Sequence, residues 1–301
     1  MPIAHANSID IWYETFGNKK DEAILLIMGA CCQGIMWPTE FCEMLSREGF
    51  YVIRYDHRDT GQSTYFDFEK NPYRIDDMAQ DAIELLNFLN IKTFHLMGLS
   101  LGGPIAELIA VNLPERTLGM TLIASSCDFR PGNLAYAGLP AEPNGLSRTS
   151  DVYLQWMKSF LSNPPKTIED HVKFRVEGWR IMSGTKVPFE EDRYYELHKE
   201  FLERARHPDS YLNHIKICQT AEETIRTIPF KVTVPTTVIQ GSDDPLFPED
   251  HGKALAKAIK NSRYVLVEGL GHVPNQHFYR SIIDQIKSIQ KCHLESENQL
   301  E

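Results

Sequence analysis

A Gly-x-Ser-x-Gly sequence at residues 98–102 constrains the fold of this chain more than any other feature. It follows the apolar, strand-like run 94–97 and precedes 103–110, whose pattern predicts a helix. Between a strand and a helix, such a sequence predicts a sharp turn that needs neighbouring glycines and strains the backbone of the serine. That strain lifts the Oγ atom of Ser100 clear of the sheet, where a histidine and a substrate carbonyl can reach it. We therefore predict that Ser100 is a nucleophile.

Six continuous apolar runs predict strands that are buried on both faces, because a strand with one wet face would alternate instead. They lie at 23–28, 51–56, 94–99, 120–124, 236–240 and 264–267. Helical patterns separate them, at 39–47, 75–89, 101–112, 248–259 and 274–289. Residues 9–17 alternate like an antiparallel edge strand. Strands that alternate with helices predict an α/β fold with a mostly parallel sheet and helices on both faces.

The alternation of strands and helices stops after residue 126 and resumes at residue 232. The stretch between them shows helix-like segments rich in aromatic residues and Met, and no buried strand. Because it follows a strand whose carboxyl end faces the site, it predicts a helical cap. Three Pro and three Gly at 130–148 predict a connecting loop at its start. The predicted organisation is an α/β core at 1–126 and 232–291, a helical cap at 127–231, and a polar, unstructured tail at 292–301.

Composition excludes several classes of partner. The formal charge of −10 argues against nucleic acid and against an anionic membrane, since both would repel the chain. No apolar run approaches eighteen residues, and the N-terminus lacks the features of a signal peptide. The six cysteines follow no metal-binding or disulfide spacing, so we expect reduced thiols and a cytoplasmic protein.

A serine nucleophile requires a base, and the base requires a third group that orients it. The acid of such a triad is expected just past a late strand, where Asp243 and Asp244 compete. Asp244 is preferred because the following Pro245 keeps it out of helical geometry. The base is expected after the next strand, where Gly-x-Gly leads to His272. The other histidines that follow the acid are His251, His277 and His293, which fall in helical patterns or in the tail.

Two backbone amides are predicted to stabilise the oxyanion of the tetrahedral intermediate. The first is the amide of Leu101, directly after the nucleophile, and the second is that of Ala30, after the first buried strand. Loss of one such donor typically costs roughly 3–4 kcal/mol of transition-state stabilisation. We expect neither a metal nor a cofactor in this chemistry.

Three further features each allow two interpretations. The sequence at 56–59, Asp-His-Arg-Asp, suits a metal site or a polar loop that braces the core, and we prefer the loop. Cys31 and Cys32 suit redox chemistry or soft pocket lining, and we prefer the lining. Aromatic residues of the cap can form its core or a binding box. The predicted substrate pocket comprises Cys31, Trp37, Trp156 and Trp179.

Segments 54–64, 179–189 and 232–240, together with the Gly-x-Ser-x-Gly turn, resemble the α/β-hydrolases close to the aclacinomycin methylesterases. This resemblance covers nearly the whole chain. It implies an α/β-hydrolase fold with a mostly parallel eight-stranded sheet and an inserted helical cap. It also places the triad on Ser100, Asp244 and His272 and the oxyanion amides on Ala30 and Leu101. Residues 30–33 and 127–146 depart from the methylesterase pattern, so the polyketide substrate does not transfer directly.

The sequence therefore predicts a serine hydrolase that cleaves a carboxylic ester, a methyl ester among the candidates, through an acyl-enzyme. A lactonase, a C–C bond hydrolase, an aminopeptidase and a cofactor-free perhydrolase use the same triad and stay open as alternatives. A hydrolase-like ligand-binding protein is a less favoured alternative, because binding alone needs no strained serine. The expected partner is a small-molecule ester, and the sequence does not determine the oligomeric state.

Overall fold

The computed structural model describes residues 2–143 and 145–297. Its centre is a single eight-stranded sheet in the spatial order β1-β2-β4-β3-β5-β6-β7-β8. The strands are β1 (Ile3–Ala6), β2 (Ile9–Phe16), β3 (Glu22–Ile27), β4 (Phe50–Tyr55), β5 (Phe94–Leu99), β6 (Thr117–Ile123), β7 (Thr236–Gly241) and β8 (Ser262–Val267). Strands β1, β2 and β4 pair antiparallel and all other neighbours pair parallel, which confirms the predicted mostly parallel sheet.

Two hydrophobic cores, one on each face of the sheet, explain why the central strands are continuously apolar. In β3, Leu25 and Ile27 join one core, whereas Ile24 and Leu26 join the other. Successive side chains of a strand point to opposite faces, so a strand covered on both faces must be apolar throughout. The helices that accompany the sheet are α1 (Thr39–Arg47), α2 (Ile75–Phe88), α3 (Gly102–Asn112), α10 (Glu249–Ala258) and α11 (Gln276–Glu297).

Six α-helices lie between β6 and β7 in the described part of the chain and, with their connecting segments, form what we call the helical insertion. They are α4 (Arg130–Tyr136), α5 (Asp151–Ser162), α6 (Ile168–Met182), α7 (Glu191–Glu203), α8 (Asn213–Thr220) and α9 (Glu222–Thr227). Side chains define two of its helix starts: Ser150 caps α5, and Thr167 forms a capping box with Asp170 at the start of α6. The connecting loop predicted at 130–148 is wrong in its first part, because α4 begins there with Pro131 in its first turn, where proline fits.

The last helix, α11, runs farther than the sequence predicts. A helix was expected to end near residue 289, but α11 continues to Glu297. Residues 290–297 contain no Pro or Gly that would end it. The expectation of an unstructured tail is therefore wrong for 292–297, and 298–301 lie outside the described residues. Among the residues that the structure describes, no helix is both long and apolar enough to cross a membrane.

Candidate active site

Ser100 occupies a strained turn between β5 and α3. Its φ angle is +53°, in the left-handed region that non-glycine residues rarely adopt. Its amide donates to the carbonyl of Ile123 (3.0 Å), and its carbonyl accepts from Gly103 N (2.9 Å) and from Ser125 Oγ (2.9 Å). These three hydrogen bonds hold the serine in a conformation that costs free energy.

Glycines flank Ser100 because the turn leaves no room for side chains. A Cβ atom added at Gly98 would overlap the carbonyl of Gly102, and one added at Gly102 would overlap the carbonyl of Ile27. The obstacles are backbone atoms, which cannot move aside as a flexible side chain can. The spacing of the motif is therefore a steric requirement of the turn.

His272 and Asp244 form a buried hydrogen-bonded pair, with 4% and 5% of their surfaces exposed. The Nδ1 atom of His272 lies 2.9 Å from Oδ2 and 3.1 Å from Oδ1 of Asp244. The carboxylate also accepts from the amides of Leu246 (2.8 Å) and Phe247 (3.0 Å) and from Gln240 Nε2 (3.2 Å). An ionised carboxylate can only accept hydrogen bonds, so the Nδ1 atom that bonds it must carry the proton. The Nε2 atom of the neutral ring is then the basic nitrogen.

The competing acid, Asp243, serves a different contact. Its Oδ2 atom accepts from the amide (3.1 Å) and the hydroxyl (2.8 Å) of Thr185, and its Oδ1 atom accepts from Ser242 Oγ (2.8 Å). Burial raises the pKa of Asp243, but the hydrogen bonds from Ser242 and Thr185 outweigh it, so the net pKa is lowered. Asp243 thus ties the helical insertion to the loop after β7.

The loop that carries His272 is fastened to the insertion as well. The amides of His272 (2.7 Å) and Val273 (3.2 Å) both donate to the carbonyl of Met182, at the end of α6. A Cβ atom at Gly271 would overlap that same carbonyl, so only glycine allows the approach. The insertion therefore fixes the main chain that presents the imidazole.

Ser100, Asp244 and His272 follow β5, β7 and β8, so all three predicted triad residues lie at the carboxyl edge of the parallel sheet. Within 2–143 and 145–297, no hydrogen bond joins Ser100 to His272. Catalytic contacts of this kind are often long without substrate and shorten in the reacting complex. Of the other candidate bases, His251 bonds Ser126 Oγ (2.7 Å) and the carbonyl of Ser147 (2.7 Å), and the side chain of His293 lies outside the described residues.

Two amides beside Ser100 are free to donate. Neither Ala30 N nor Leu101 N donates a hydrogen bond to any residue in the described part of the chain. A Cβ atom at Gly29 would lie 3.2 Å from Ser100 Cβ, so the loop after β3 approaches Ser100 closely. The next amide, that of Cys31, donates instead to His214 Nδ1 (3.1 Å) and is not available to a substrate. The amides of Ala30 and Leu101, which the sequence predicts as oxyanion donors, are thus unengaged within the described residues.

The pocket residues predicted from sequence divide into two groups. Cys31 is half-buried in the loop after β3, and burial raises its thiol pKa well above the usual value, so the thiol stays protonated. Trp156 is half-buried, stacks on Phe174 at 4.6 Å between ring centroids, and donates to the carbonyl of that residue. Trp37 and Trp179, with 1% and 6% of their surfaces exposed, pack inside the hydrophobic core. The structure thus gives the last two a packing role.

Sequence reasoning missed two polar side chains near the loop after β3. Burial raises the pKa of Tyr136, yet 40% of its surface is accessible. Its ring lies 6.4 Å from that of Tyr153, measured between ring centroids. Arg175 of α6 lies close enough to the Cys32 thiol to lower its pKa, although burial raises that pKa more. No described carboxylate lies within 4.0 Å of the Arg175 guanidinium. No sequence motif marked either residue.

The Asp-His-Arg-Asp sequence at 56–59 braces the core. Asp56 accepts from the amides of Gly34 (2.8 Å) and Gln62 (2.9 Å) and pairs with Arg204 of the insertion. Asp59 accepts from Tyr73 Oη (2.7 Å). Each side chain has a partner within the protein, and no group of three His, Cys, Asp or Glu in the described residues could hold a metal ion.

Comparison with known proteins supports the resemblance expected from the sequence. Residues 22–275 match the family model for the alpha/beta hydrolase fold. The chain is 35% identical over 274 residues to the rhodomycin D methylesterase DauP of Streptomyces sp. (strain C5), covering 88% of this chain and 90% of that protein. It is also 35% identical over 279 residues to the rhodomycin D methylesterase DnrP of Streptomyces peucetius, with the same coverage.

A solved structure confirms the architecture independently of the sequence matches. The enol-lactonase from Burkholderia xenovorans LB400 superposes with a TM-score of 0.74 at 20% identity, over 96% of this chain and all of that one. At that identity the likeness concerns the fold alone. Together with the family match over most of its length, it shows that this chain belongs to the alpha/beta hydrolase family.

Proposed function

We propose that this protein is a carboxylic ester hydrolase that works through an acyl-enzyme on Ser100. One observation carries the proposal: a serine in a strained left-handed turn lies beside two unengaged amides, at the same sheet edge as an imidazole that a buried carboxylate orients. A binding protein has no use for a strained serine with free amides next to it. The rhodomycin D methylesterases, at 35% identity, support ester hydrolysis as the reaction.

The first half of the reaction forms the acyl-enzyme. His272 Nε2 takes the proton of Ser100 Oγ as the oxygen attacks the ester carbonyl carbon. The carbonyl oxygen becomes an anion, and the amides of Ala30 and Leu101 donate to it. The tetrahedral intermediate collapses when the C–O bond to the alcohol breaks. The imidazolium then gives its proton to the departing alcohol oxygen.

The second half returns the enzyme to its starting state. His272 removes a proton from a water molecule, and the resulting hydroxide attacks the acyl carbonyl carbon. The bond to Ser100 Oγ breaks, and the imidazolium returns the proton to the serine. In both halves Asp244 holds the imidazole in one tautomer and stabilises its charged form. The hydrogen bonds of Leu246 and Phe247 hold the carboxylate in place for that role.

We propose a methyl ester of an aromatic or polycyclic acid as the substrate class. The rhodomycin D methylesterases support the methyl group. Tyr136, Tyr153 and the half-buried cysteines offer an aromatic and polarisable wall, which suits a planar acyl group. We assign the role of a cap to residues 127–231, because the helical insertion contributes Tyr136, Tyr153 and Arg175 to the surroundings of Cys31 and Cys32. All five cysteines with described side chains are free thiols, which suits a cytoplasmic enzyme.

The test combines active-site labelling with a substrate panel. A fluorophosphonate is expected to modify the protein stoichiometrically at Ser100, and peptide mapping identifies the residue. Ser100→Ala should abolish the labelling, and Ser126→Ala serves as the matched control, since Ser126 is a buried serine whose hydroxyl bonds His251 and the Asp128 carbonyl instead. Methyl, aryl and cyclic esters are then compared by kcat/KM. Absence of labelling, or labelling at another serine, would overturn the proposal, and a preference for cyclic esters would favour the lactonase alternative.

A further inference from the structure

Two buried histidines contact the loop that supplies one of the proposed oxyanion amides. His57, which follows β4, is 1% exposed, and its Nε2 atom lies 2.9 Å from the carbonyl of Met28. His214, at the start of α8 in the helical insertion, is fully buried. Its Nδ1 atom lies 3.1 Å from the amide of Cys31, and its Nε2 atom lies 2.9 Å from the carbonyl of Arg58. The two rings are edge-to-face, 5.8 Å apart.

The partners determine the tautomer of each imidazole. A carbonyl only accepts, so His57 donates through Nε2 to Met28 and His214 donates through Nε2 to Arg58. The Nδ1 atom of His214 therefore carries no proton and accepts from the amide of Cys31. This assignment requires neutral rings, and burial lowers the pKa of His57 to about 3 and that of His214 to about 4. Both rings are neutral at the pH at which an imidazole base works.

The two contacts fall on two peptide groups that are separated by a single peptide group. The Met28 carbonyl belongs to the peptide between Met28 and Gly29, and the Cys31 amide belongs to the peptide between Ala30 and Cys31. The peptide between them joins Gly29 to Ala30 and carries the Ala30 amide. The peptide group on each side of the Gly29–Ala30 peptide is thus held by one imidazole. The orientation of the Gly29–Ala30 peptide therefore depends on both His57 and His214.

Cys31 needs such support because its backbone is strained. Its φ angle is +62°, a left-handed value that a non-glycine residue adopts at a cost. Besides the bond from its amide to His214, its thiol donates to the carbonyl of Tyr211 (3.4 Å), which also belongs to the insertion. Without these contacts, Cys31 would relax toward a negative φ angle and rotate the peptides that precede it.

We infer that His214 is a positioning residue that, together with His57, aims the Ala30 amide at the oxyanion formed on the Ser100 adduct. The inference rests on the proposed function, because it gives the amide a role only if that oxyanion forms. It also means that the helical insertion contributes to the chemistry, since α8 supplies the imidazole that fixes the loop.

The first test measures catalysis per active site in His214→Ala and His214→Gln. Complete loss of an oxyanion donor costs roughly a hundredfold to a thousandfold in kcat, so a misdirected donor should cost roughly tenfold to a hundredfold. In His214→Ala we expect that loss in kcat on p-nitrophenyl acetate, with KM within about twofold. His214→Gln should recover most of it, because its amide can accept from Cys31 and donate to Arg58. Fluorophosphonate titration counts the active sites.

A transition-state analogue separates positioning from general damage. A trifluoromethyl ketone forms an oxyanion on the serine, so its Ki should rise in His214→Ala by the same factor by which kcat/KM falls. The matched control is His95→Ala. His95 is also a buried imidazole, 2% exposed and 3.1 Å from Glu22. It lies near the start of β5, at the opposite end of the strand from Ser100. We expect the control to lose thermal stability without changing kcat per active site.

The second test asks whether His214 acts through the strain at Cys31. Glycine adopts a φ angle of +62° without penalty. The effect of His214→Ala on kcat should therefore be smaller in the Cys31→Gly background than in the parent chain. An undiminished effect in that background, or a kcat in His214→Ala equal to that of His95→Ala, would overturn the inference. If the parent chain itself neither reacts with the fluorophosphonate nor hydrolyses esters, the proposed function fails instead.

Discussion

The choice between two adjacent aspartates gives the sharpest prediction. In Asp244→Asn, the amide oxygen can still accept from the amides of Leu246 and Phe247, which lie 2.8 and 3.0 Å from Oδ1. The NH2 group would then replace Oδ2 and face two donors, Gln240 Nε2 (3.2 Å) and His272 Nδ1 (2.9 Å). Two N–H donors cannot bond each other. The imidazole of His272 must therefore move its proton from Nδ1 to Nε2, so that Nδ1 can accept from the new NH2 group.

An imidazole protonated at Nε2 cannot accept the proton of Ser100. We therefore expect Asp244→Asn to lower kcat by roughly a thousandfold to ten-thousandfold, the range typical for a triad with the wrong tautomer. Asp243→Asn keeps an oxygen at the same place and weakens only its contacts with Thr185 and Ser242. Its expected effect is a stability loss of about 1–2 kcal/mol, typical of weakening charge-assisted hydrogen bonds, with kcat within about threefold.

The assay is initial-rate hydrolysis of p-nitrophenyl acetate, normalised to folded protein by circular dichroism and thermal melting. Both variants remove one negative charge from the same loop, so each controls for the electrostatic change in the other. A kcat loss in Asp243→Asn that equals or exceeds that of Asp244→Asn would refute the assignment of the acid and the tautomer argument with it.

The remaining predictions concern Ser100 and His272, the helix α3, and the turn that precedes that helix. Ser100→Ala and His272→Ala should each lower kcat by at least about a thousandfold with little change in thermal stability. Glu107 is buried in α3, and neither of its carboxyl oxygens bonds a residue that the structure describes; burial raises its pKa well above the usual 4.5. The unfolded chain ionises there first, so unfolding free energy should fall as the pH rises above about 4.5. Glu107→Gln should remove that part of the slope in pH-dependent denaturant melts, and an unchanged slope would contradict the reasoning. In Gly102→Ala, the new Cβ atom would overlap the Ile27 carbonyl. Overpacking typically costs about 1–3 kcal/mol, and because the obstacle here is backbone we expect a loss of at least about 3 kcal/mol in unfolding free energy.

Local patterns predicted much of the fold and the candidate site. The continuous apolar run of β3 indicated a strand buried on both faces, and its side chains do alternate between two cores. Ser100 could be recognised because the tight turn between a strand and a helix leaves no room for side chains beside it, so its neighbours in the motif are glycines. Asp244 and His272 could be selected because each follows a late strand, and parallel strands bring their carboxyl ends to one edge.

Other features depend on contacts between distant parts of the chain and left no local signal. His214 bonds Cys31, which lies 183 positions earlier, so no window of sequence contains both. Trp37 and Trp179 suggested pocket walls by their size, but burial in the core satisfies the same side chains. Helix α4 was missed because Pro131 signals a break except in the first turn, where it lies.

The hydrogen bonds that the amides of His272 and Val273 donate to the Met182 carbonyl have a consequence for engineering. Exchanging residues 127–231 for the equivalent segment of another hydrolase is an obvious route to new substrates. Here such a graft would also remove the contact that holds the main chain of His272, along with the Thr185 contact to Asp243. A successful chimaera must therefore retain residues 182–185 and His214 of α8, which leaves the other helices of the insertion for the redesign of specificity.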